Sequence, residues 1–401
     1  MITIAVQKAL ELLSKEFKKP PVIFSSKRDK VEAINSRSLI LNQLFCCGGW
    51  PRGRIVELFG AESSGKTTLC YHAMAEAQQL GVVAFIDTEH RAELSYAAAL
   101  GVDCDNLIFD QPSGGEDAFE KIEAMLDSKL YSLIVLDSIA HAKPKVVASS
   151  DIDSSNIGIH AKMMTKVMDR IGKKLGKTCL LMTNQIRKDP SGYGSGETTP
   201  GGMAVKFDAS LRVRIQKQTA ERDKEENPIL NKVKAKVVKS SVGIPYKEAE
   251  FVIRFGEGVA ICDDTLDAGI LAGIITKAGG NHSITIHGKK ETIGRSRDQA
   301  LVWLSQKGRA EKIRQAITKS KWYIGEESKS VDAEKDGDVQ GDGVYETPEE
   351  PIPEVREMRE YILKRNDGPA SSVPEAEEAD SGRDSEGSDE EGNDSESELT
   401  L

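Results

Sequence analysis

The segment Gly60-Ala61-Glu62-Ser63-Ser64-Gly65-Lys66-Thr67 follows directly on the apolar run Ile55-Val56-Glu57-Leu58-Phe59, and no other stretch constrains the fold as tightly. It fits the pattern G-x-x-x-x-G-K-[ST], and the context is a strand before it and a helix after it. A buried strand that passes through a glycine-rich turn into a helix aims backbone N–H groups and a positive helix end at one point. That point suits a polyphosphate. Lys66 is then placed to reach the terminal phosphates and Thr67 to hold magnesium, with Gly60 to Gly65 and Thr68 completing the nucleotide-binding run. An ordinary glycine turn is the bland alternative, and the flanking strand and helix weigh against it.

With 401 residues, 39% hydrophobic and 29% charged, the chain is long enough for two or three domains and has the composition of a soluble globular protein. The average hides a division. From Glu326 to Leu401 there are 26 Asp and Glu against 7 Lys and Arg, a net of −19, which leaves +9 on residues 1–325. A basic body suits a polyanionic partner; the acidic tail either competes for that surface as a tethered polyanion mimic or only aids solubility. Cys46, Cys47, Cys70, Cys104, Cys179 and Cys262 show no zinc spacing and read as reduced residues of an intracellular protein. Residues 1–19 mix leucines with lysines and glutamates, unlike a signal peptide, and no apolar run approaches the roughly 18 residues of a membrane span. The expected location is the cytoplasm, with no membrane partner.

Ile4, Leu10, Leu13 and Phe17 lie near helical spacing before Pro20-Pro21, which predicts a short amphipathic helix over 2–18. Its apolar face needs either its own chain or a neighbouring subunit. From about Ser38 to Cys262 apolar strands alternate with helix-like segments, the mark of an α/β domain. The strands read as Ile55–Phe59, Val82–Asp87, Leu133–Asp137 and Thr178–Thr183. Ala209–Ile215, Val233–Val238 and Ala249–Phe255 then follow with period-two patterning, as antiparallel strands at one side of the sheet. A smaller α+β unit is expected beyond, with a helix over Leu266–Ala278, a hairpin over Ser283–Ile293 and a helix over Arg297–Leu304. The resulting division is 1–34, 35–262, 263–325 and a disordered acidic tail at 326–401.

Leu133-Ile134-Val135-Leu136-Asp137 ends a buried strand in a carboxylate, which makes Asp137 the second candidate for the magnesium shell. Asp87-Thr88-Glu89 arrives at the same edge of the sheet, where open α/β folds bind ligands. Glu89 reads either as the group that activates an attacking water or as a carboxylate favoured by a helix dipole. Asn184-Gln185 brings an amide to that edge and opens a long glycine-rich stretch over 186–202. Arg187 and Lys188 offer charge for phosphates, Tyr193 an aromatic for base contact, and the glycines, Gly201 and Gly202 among them, freedom to order on binding. A second loop, Val146 to Gly158, projects from the same side.

The loop Gly60–Thr67, Phe85-Ile86-Asp87-Thr88-Glu89-His90, Leu136-Asp137-Ser138 and Asn184-Gln185-Ile186-Arg187 resemble, in order and spacing, the bacterial RecA recombinases. Glu197–Gly202, Ala204–Phe207 and Phe255–Gly258 extend the resemblance, which covers roughly residues 35–305. It implies a P-loop NTPase of RecA type with a twisted, mostly parallel central sheet. It also implies an ATP-bound helical filament on single-stranded DNA that pairs with homologous duplex DNA and hydrolyses ATP at subunit interfaces. By the same resemblance Glu89 is the catalytic glutamate, Gln185 the γ-phosphate sensor and Tyr96 the aromatic packed on adenine. Residues 146–158 and 186–202 become the two DNA-binding loops, and Lys239 the first of two lysines that reach a neighbour's ATP.

Ser241 stands where the second of those lysines is expected, and Glu93 where an adenine-facing aspartate is usual. Tyr193 replaces a frequent phenylalanine, and Asn281-His282-Ser283 lacks the aromatics frequent in the family's C-terminal domain, though Lys289 and Lys290 keep positive charge. Two rival readings remain: a ring-forming helicase or accessory ATPase of the same fold, and a DNA-binding filament or mediator protein with weak ATPase. Neither a zinc module nor a protease-like domain is present to favour the first; Ser241 favours the second.

Overall fold

The structure, a computed structural model, describes residues 6–9, 12, 31–144, 146, 156–188, 197–222, 225, 227–286 and 289–323. Most of the expected N-terminal helix, most of the loop 146–158, residues 189–196 with Tyr193, and the acidic tail lie outside the described residues. Everything described belongs to the first of two compact units, Met1–Ala333.

Helix α1 (Leu39–Leu44) precedes β1 (Ile55–Gly60), after which α2 (Lys66–Ala77), β2 (Val82–Asp87), α3 (Leu94–Ala99) and β3 (Leu107–Asp110) alternate. Next come α4 (Gly115–Ser128), β4 (Tyr131–Asp137), α5 (Asn156–Gly172), β5 (Cys179–Gln185) and α6 (Gly202–Asp208). The chain continues through β6 (Leu211–Arg222), β7 (Pro228–Ser240), β8 (Glu248–Arg254) and β9 (Gly258–Val259). Helix α7 (Ile261–Leu271), β10 (Ile275–Ala278), β11 (Asn281–Ile286), β12 (Lys289–Gly294), α8 (Arg297–Ser305) and α9 (Arg309–Thr318) follow.

Strands β1 to β9 form one sheet in the order β9-β8-β7-β6-β1-β5-β4-β2-β3. The run from β6 to β3 is parallel, and β7, β8 and β9 join it antiparallel. Helices cover both faces, so the central strands must be apolar on both sides. On β4, Leu133 and Val135 enter one core with Leu69, Tyr71 and Met74 of α2, while Ile134 and Leu136 enter the other with Phe119 and Ile122 of α4 and Met164 and Met168 of α5. Cys179 to Met182 of β5 alternate in the same way. Burying each such Leu, Ile or Val contributes about 1.5–3 kcal/mol.

Three expectations need correcting. The segment 209–215 opens β6, which is parallel to β1 and antiparallel only to β7. Helix α7 ends at Leu271 rather than Ala278: Gly273 takes φ +72° and β-branched Ile275 pairs with Ile284 of β11. Strand β3 and helix α9 appear where no element is expected. The six cysteines are all free.

Register sets the functional edge. Gly60 pairs with Gln185 and Asp87 with Asp137, so β1, β5, β4 and β2 deliver their carboxyl ends side by side. Strand β1, which feeds the glycine loop, lies between β5 and β6, and open α/β folds take their ligands at such carboxyl edges.

Candidate functional site

The loop from Ala61 to Gly65 turns on two left-handed residues, Ser63 at φ +55° and Gly65 at φ +97°. Gly65 precedes α2 and supplies no side-chain cap, so the first N–H groups of a twelve-residue helix are left for another partner. A Cβ at Gly65 would come within 2.4 Å of Ile253 Cδ1, and one at Gly60 within 2.2 Å of the Ile215 carbonyl oxygen. Lys66 is buried and its Nζ donates to the carbonyls of Gly60 at 3.2 Å and Ala61 at 2.8 Å. Burial pushes that ammonium below the usual lysine range, against the attraction of Asp137 and Glu89. Ser64 Oγ is buried without a partner among the described residues, and Ala61 and Glu62 are exposed at the rim.

Asp137 lies at the centre of this edge. Its Oδ2 accepts from Thr67 Oγ1 at 2.8 Å and its Oδ1 from Thr183 Oγ1 at 2.5 Å. Burial raises its carboxyl above the usual range, and the two hydroxyls oppose that rise. A hydroxyl and a carboxylate facing each other beside a buried lysine fit a magnesium–phosphate group, because magnesium takes one or two protein oxygens and its remaining ligands from phosphate and water. Ser64 Oγ, orphaned beside the loop, fits the same group.

Glu89 is brought against this cluster by the loop after β2. Its N–H donates to the Asp137 carbonyl at 3.2 Å and to Asp87 Oδ1 at 3.0 Å, while Asp87 Oδ2 accepts from Ala92 N–H and Gln111 Nε2, both at 3.0 Å. Glu89 Oε1 then accepts from Ser138 Oγ at 2.6 Å, His141 Nδ1 at 3.0 Å and Gln185 Nε2 at 3.1 Å. Gln185 is the last residue of β5, and the adjoining Asn184 donates to Glu57 Oε1 at 2.8 Å and to the Pro200 carbonyl at 3.0 Å. Buried Glu57 is in turn paired with Arg212. Gln185 thus touches the nucleotide edge, and its neighbour holds the far end of the segment that Gln185 opens.

Arg187 and Lys188 pair with Thr198 and Glu197 as two short strands at the base of that segment. Gly201 (φ +94°) and Gly202 (φ +71°) turn it into α6, and a Cβ on Gly202 would meet Ala161 at 2.8 Å. Tyr96 is half-buried, stacks edge-on against Tyr71 at 5.9 Å, and its hydroxyl lies 3.4 Å from Thr68 Oγ1. Lys239 stands elsewhere in its own chain: its ammonium donates to the Lys206 and Phe207 carbonyls at the end of α6, where a cation suits the helix dipole. Ser241 gives both its N–H and its hydroxyl to the Ser210 carbonyl. The structure therefore gathers Lys66, Thr67, Asp137, Glu89 and Gln185 at one edge and leaves Lys239 outside it.

Sequence reasoning missed Asp87, Ser138, His141 and Thr183. Ser138 and His141 sit one and four residues beyond Asp137, and only the folded loop aims their side chains at Glu89.

A parallel sheet with a glycine loop between its central strand and a helix, a buried lysine, a Thr–Asp pair and a nearby glutamate defines a P-loop nucleotide-binding ATPase. Residues 4–260 match the RecA N-terminal domain family. The chain is 40% identical over 307 residues to Protein RecA of Desulforapulum autotrophicum, covering 75% of this chain and 87% of that one. It is 39% identical over 311 residues to Protein RecA of Streptococcus pneumoniae, covering 75% and 79%. The chain belongs to the RecA family. It is a recombinase and DNA-dependent ATPase that binds single-stranded DNA and assembles into filaments. No described helix is long and apolar enough to cross a membrane.

Proposed function

We propose that the nucleotide is ATP with Mg2+, hydrolysed at a site that one subunit begins and its neighbour completes, in a filament that pairs single-stranded with homologous duplex DNA in the cytoplasm. Thr67 and Asp137 hold the magnesium, which neutralises charge on the phosphates when bound. The α2 amides and Lys66 bind the phosphates; Lys66 first leaves the Gly60 and Ala61 carbonyls. Tyr96, beside Thr68, packs on the base. Glu89 takes the proton of the attacking water, and Lys239 of the adjacent subunit brings positive charge to the transition state.

The observation that carries this reading is the bond from Gln185 Nε2 to Glu89 Oε1. The Gln185 amide has a second N–H to turn toward a terminal phosphate, and a shift of Gln185 on phosphate binding links phosphate state to the 186–202 segment, with Arg187, Lys188, Tyr193, Gly201 and Gly202 as the DNA contacts. Single-stranded DNA therefore stimulates hydrolysis by favouring the Gln185 position that frees the base. In Glu89→Gln, DNA-stimulated hydrolysis is expected to fall about 10²- to 10⁴-fold with ATP binding kept; hydrolysis at the native rate would remove Glu89 from the role.

Ser241 supports a second reading, a DNA-binding filament or mediator with weak ATPase, because it brings no cation and its polar atoms are turned to Ser210. Hydrolysis and joint-molecule formation measured side by side separate the two: tight DNA binding with neither activity would favour the second.

A further inference from the structure

His141 lies in the segment that follows β4, with its Nδ1 3.0 Å from Glu89 Oε1 and 3.2 Å from Ser138 Oγ. Ser138 spends its own proton on Glu89 at 2.6 Å, so both oxygens around Nδ1 are acceptors. Nδ1 must then carry a proton and donate it to Glu89. This tautomer follows from the partners alone.

The segment that holds the ring is fixed at several points. Thr88 Oγ1 donates to the Ser138 carbonyl at 2.8 Å and accepts from Ser138 N–H at 2.9 Å; the His141 and Ala142 N–H groups return to the Ser138 carbonyl; Gly115 N–H donates to the Lys143 carbonyl at 2.7 Å. Gln185, by contrast, is the donor to Glu89 that the proposed cycle must move. When it leaves, Ser138 and His141 still grip Oε1, while Oε2 receives no hydrogen bond among the described residues. A carboxylate held by one oxygen presents the other in a fixed direction.

We propose that His141 is a positioning residue for ATP hydrolysis: it holds Glu89 through Oε1 so that Oε2 takes the proton of the attacking water. The inference rests on the reading of Glu89 as the base.

The test uses the full chain with saturating single-stranded DNA, comparing kcat and KM for ATP. In His141→Ala, kcat is expected to fall about tenfold, the worth of one hydrogen bond to a charged group, with KM unchanged. His141→Asn keeps an N–H donor and is expected to recover most of the rate. Nucleotide-dependent DNA binding by both variants reports that they fold and assemble. A native kcat for His141→Ala would overturn the inference. Glu89→Gln separates the two levels: if it abolishes hydrolysis while His141→Ala behaves as native, only the role of His141 falls; if it hydrolyses normally, the base assignment falls and this inference with it.

Discussion

His72 shows at the scale of one residue how burial decides chemistry that a sequence leaves open. Its ring on α2 is 2% exposed, and Nε2 accepts the Val259 N–H at 2.9 Å, which only the neutral ring can do. Burial, with Arg37 adding to it, pushes the pKa from 6.5 to about 4. Between those values the unfolded chain takes up a proton that the folded protein refuses. Stability is therefore complete above pH 6.5 and is lost as pH falls toward 4. Between pH 7 and pH 5 the loss from this group is about 2 kcal/mol, read as a shift in urea midpoint. His72→Gln keeps an acceptor for Val259 and is expected to flatten that dependence; an unchanged slope would show that other groups set it. Lys66, Thr67, Asp137, Glu89 and Gln185 were legible in the sequence because each ends or follows an apolar strand. His72 and His141 were not, because their partners, Val259 and Glu89, are distant in the chain and no local pattern pairs them.

At the scale of elements, three helices meet on one carboxylate. Asp264 in the first turn of α7 accepts from Ser38 Oγ at 2.5 Å and Leu39 N–H at 2.8 Å, which join α1, and from Arg314 Nη1 at 2.8 Å, which joins α9. The Asp264 side chain is fully buried and that of Arg314 is 12% exposed, so removing one partner leaves a charge with no water to compensate it. Asp264→Ala is expected to cost about 3–5 kcal/mol in denaturant unfolding; a cost below about 1 kcal/mol would mean that the pair is worth no more than a surface bridge. The central strands could be read from sequence because burial on both faces leaves continuous apolar runs. The run from Leu266 to Ala278 is mostly apolar as well, and composition alone does not divide it into α7 and β10. The division comes from Gly273 and from the pairing of Ile275 with Ile284, a contact outside any local window. Strand β3 escaped notice because it is short and exposes Ile108 and Phe109, so it has no buried run to betray it.

For the whole molecule, the proposed site is half of an interface. The charge of the chain fits a polyanion-binding body with an acidic tail, and the carboxyl edge of the sheet collects every proposed phosphate and magnesium ligand, yet Lys239 is bound to the carbonyls of α6 in its own chain. A residue that serves ATP from there must serve the ATP of another subunit, and such head-to-tail contacts build filaments rather than closed dimers. Complementation between two inactive variants tests this most directly. Glu89→Gln lacks the base and keeps the lysine; Lys239→Ala keeps the base and lacks the lysine. Each is expected to have little DNA-dependent ATPase alone. Mixed in equal amounts on single-stranded DNA, they should recover about one quarter of the native rate, because random head-to-tail assembly pairs an intact Glu89 with a neighbour's intact Lys239 at that fraction of junctions. A mixture as inactive as its components would contradict the interfacial site.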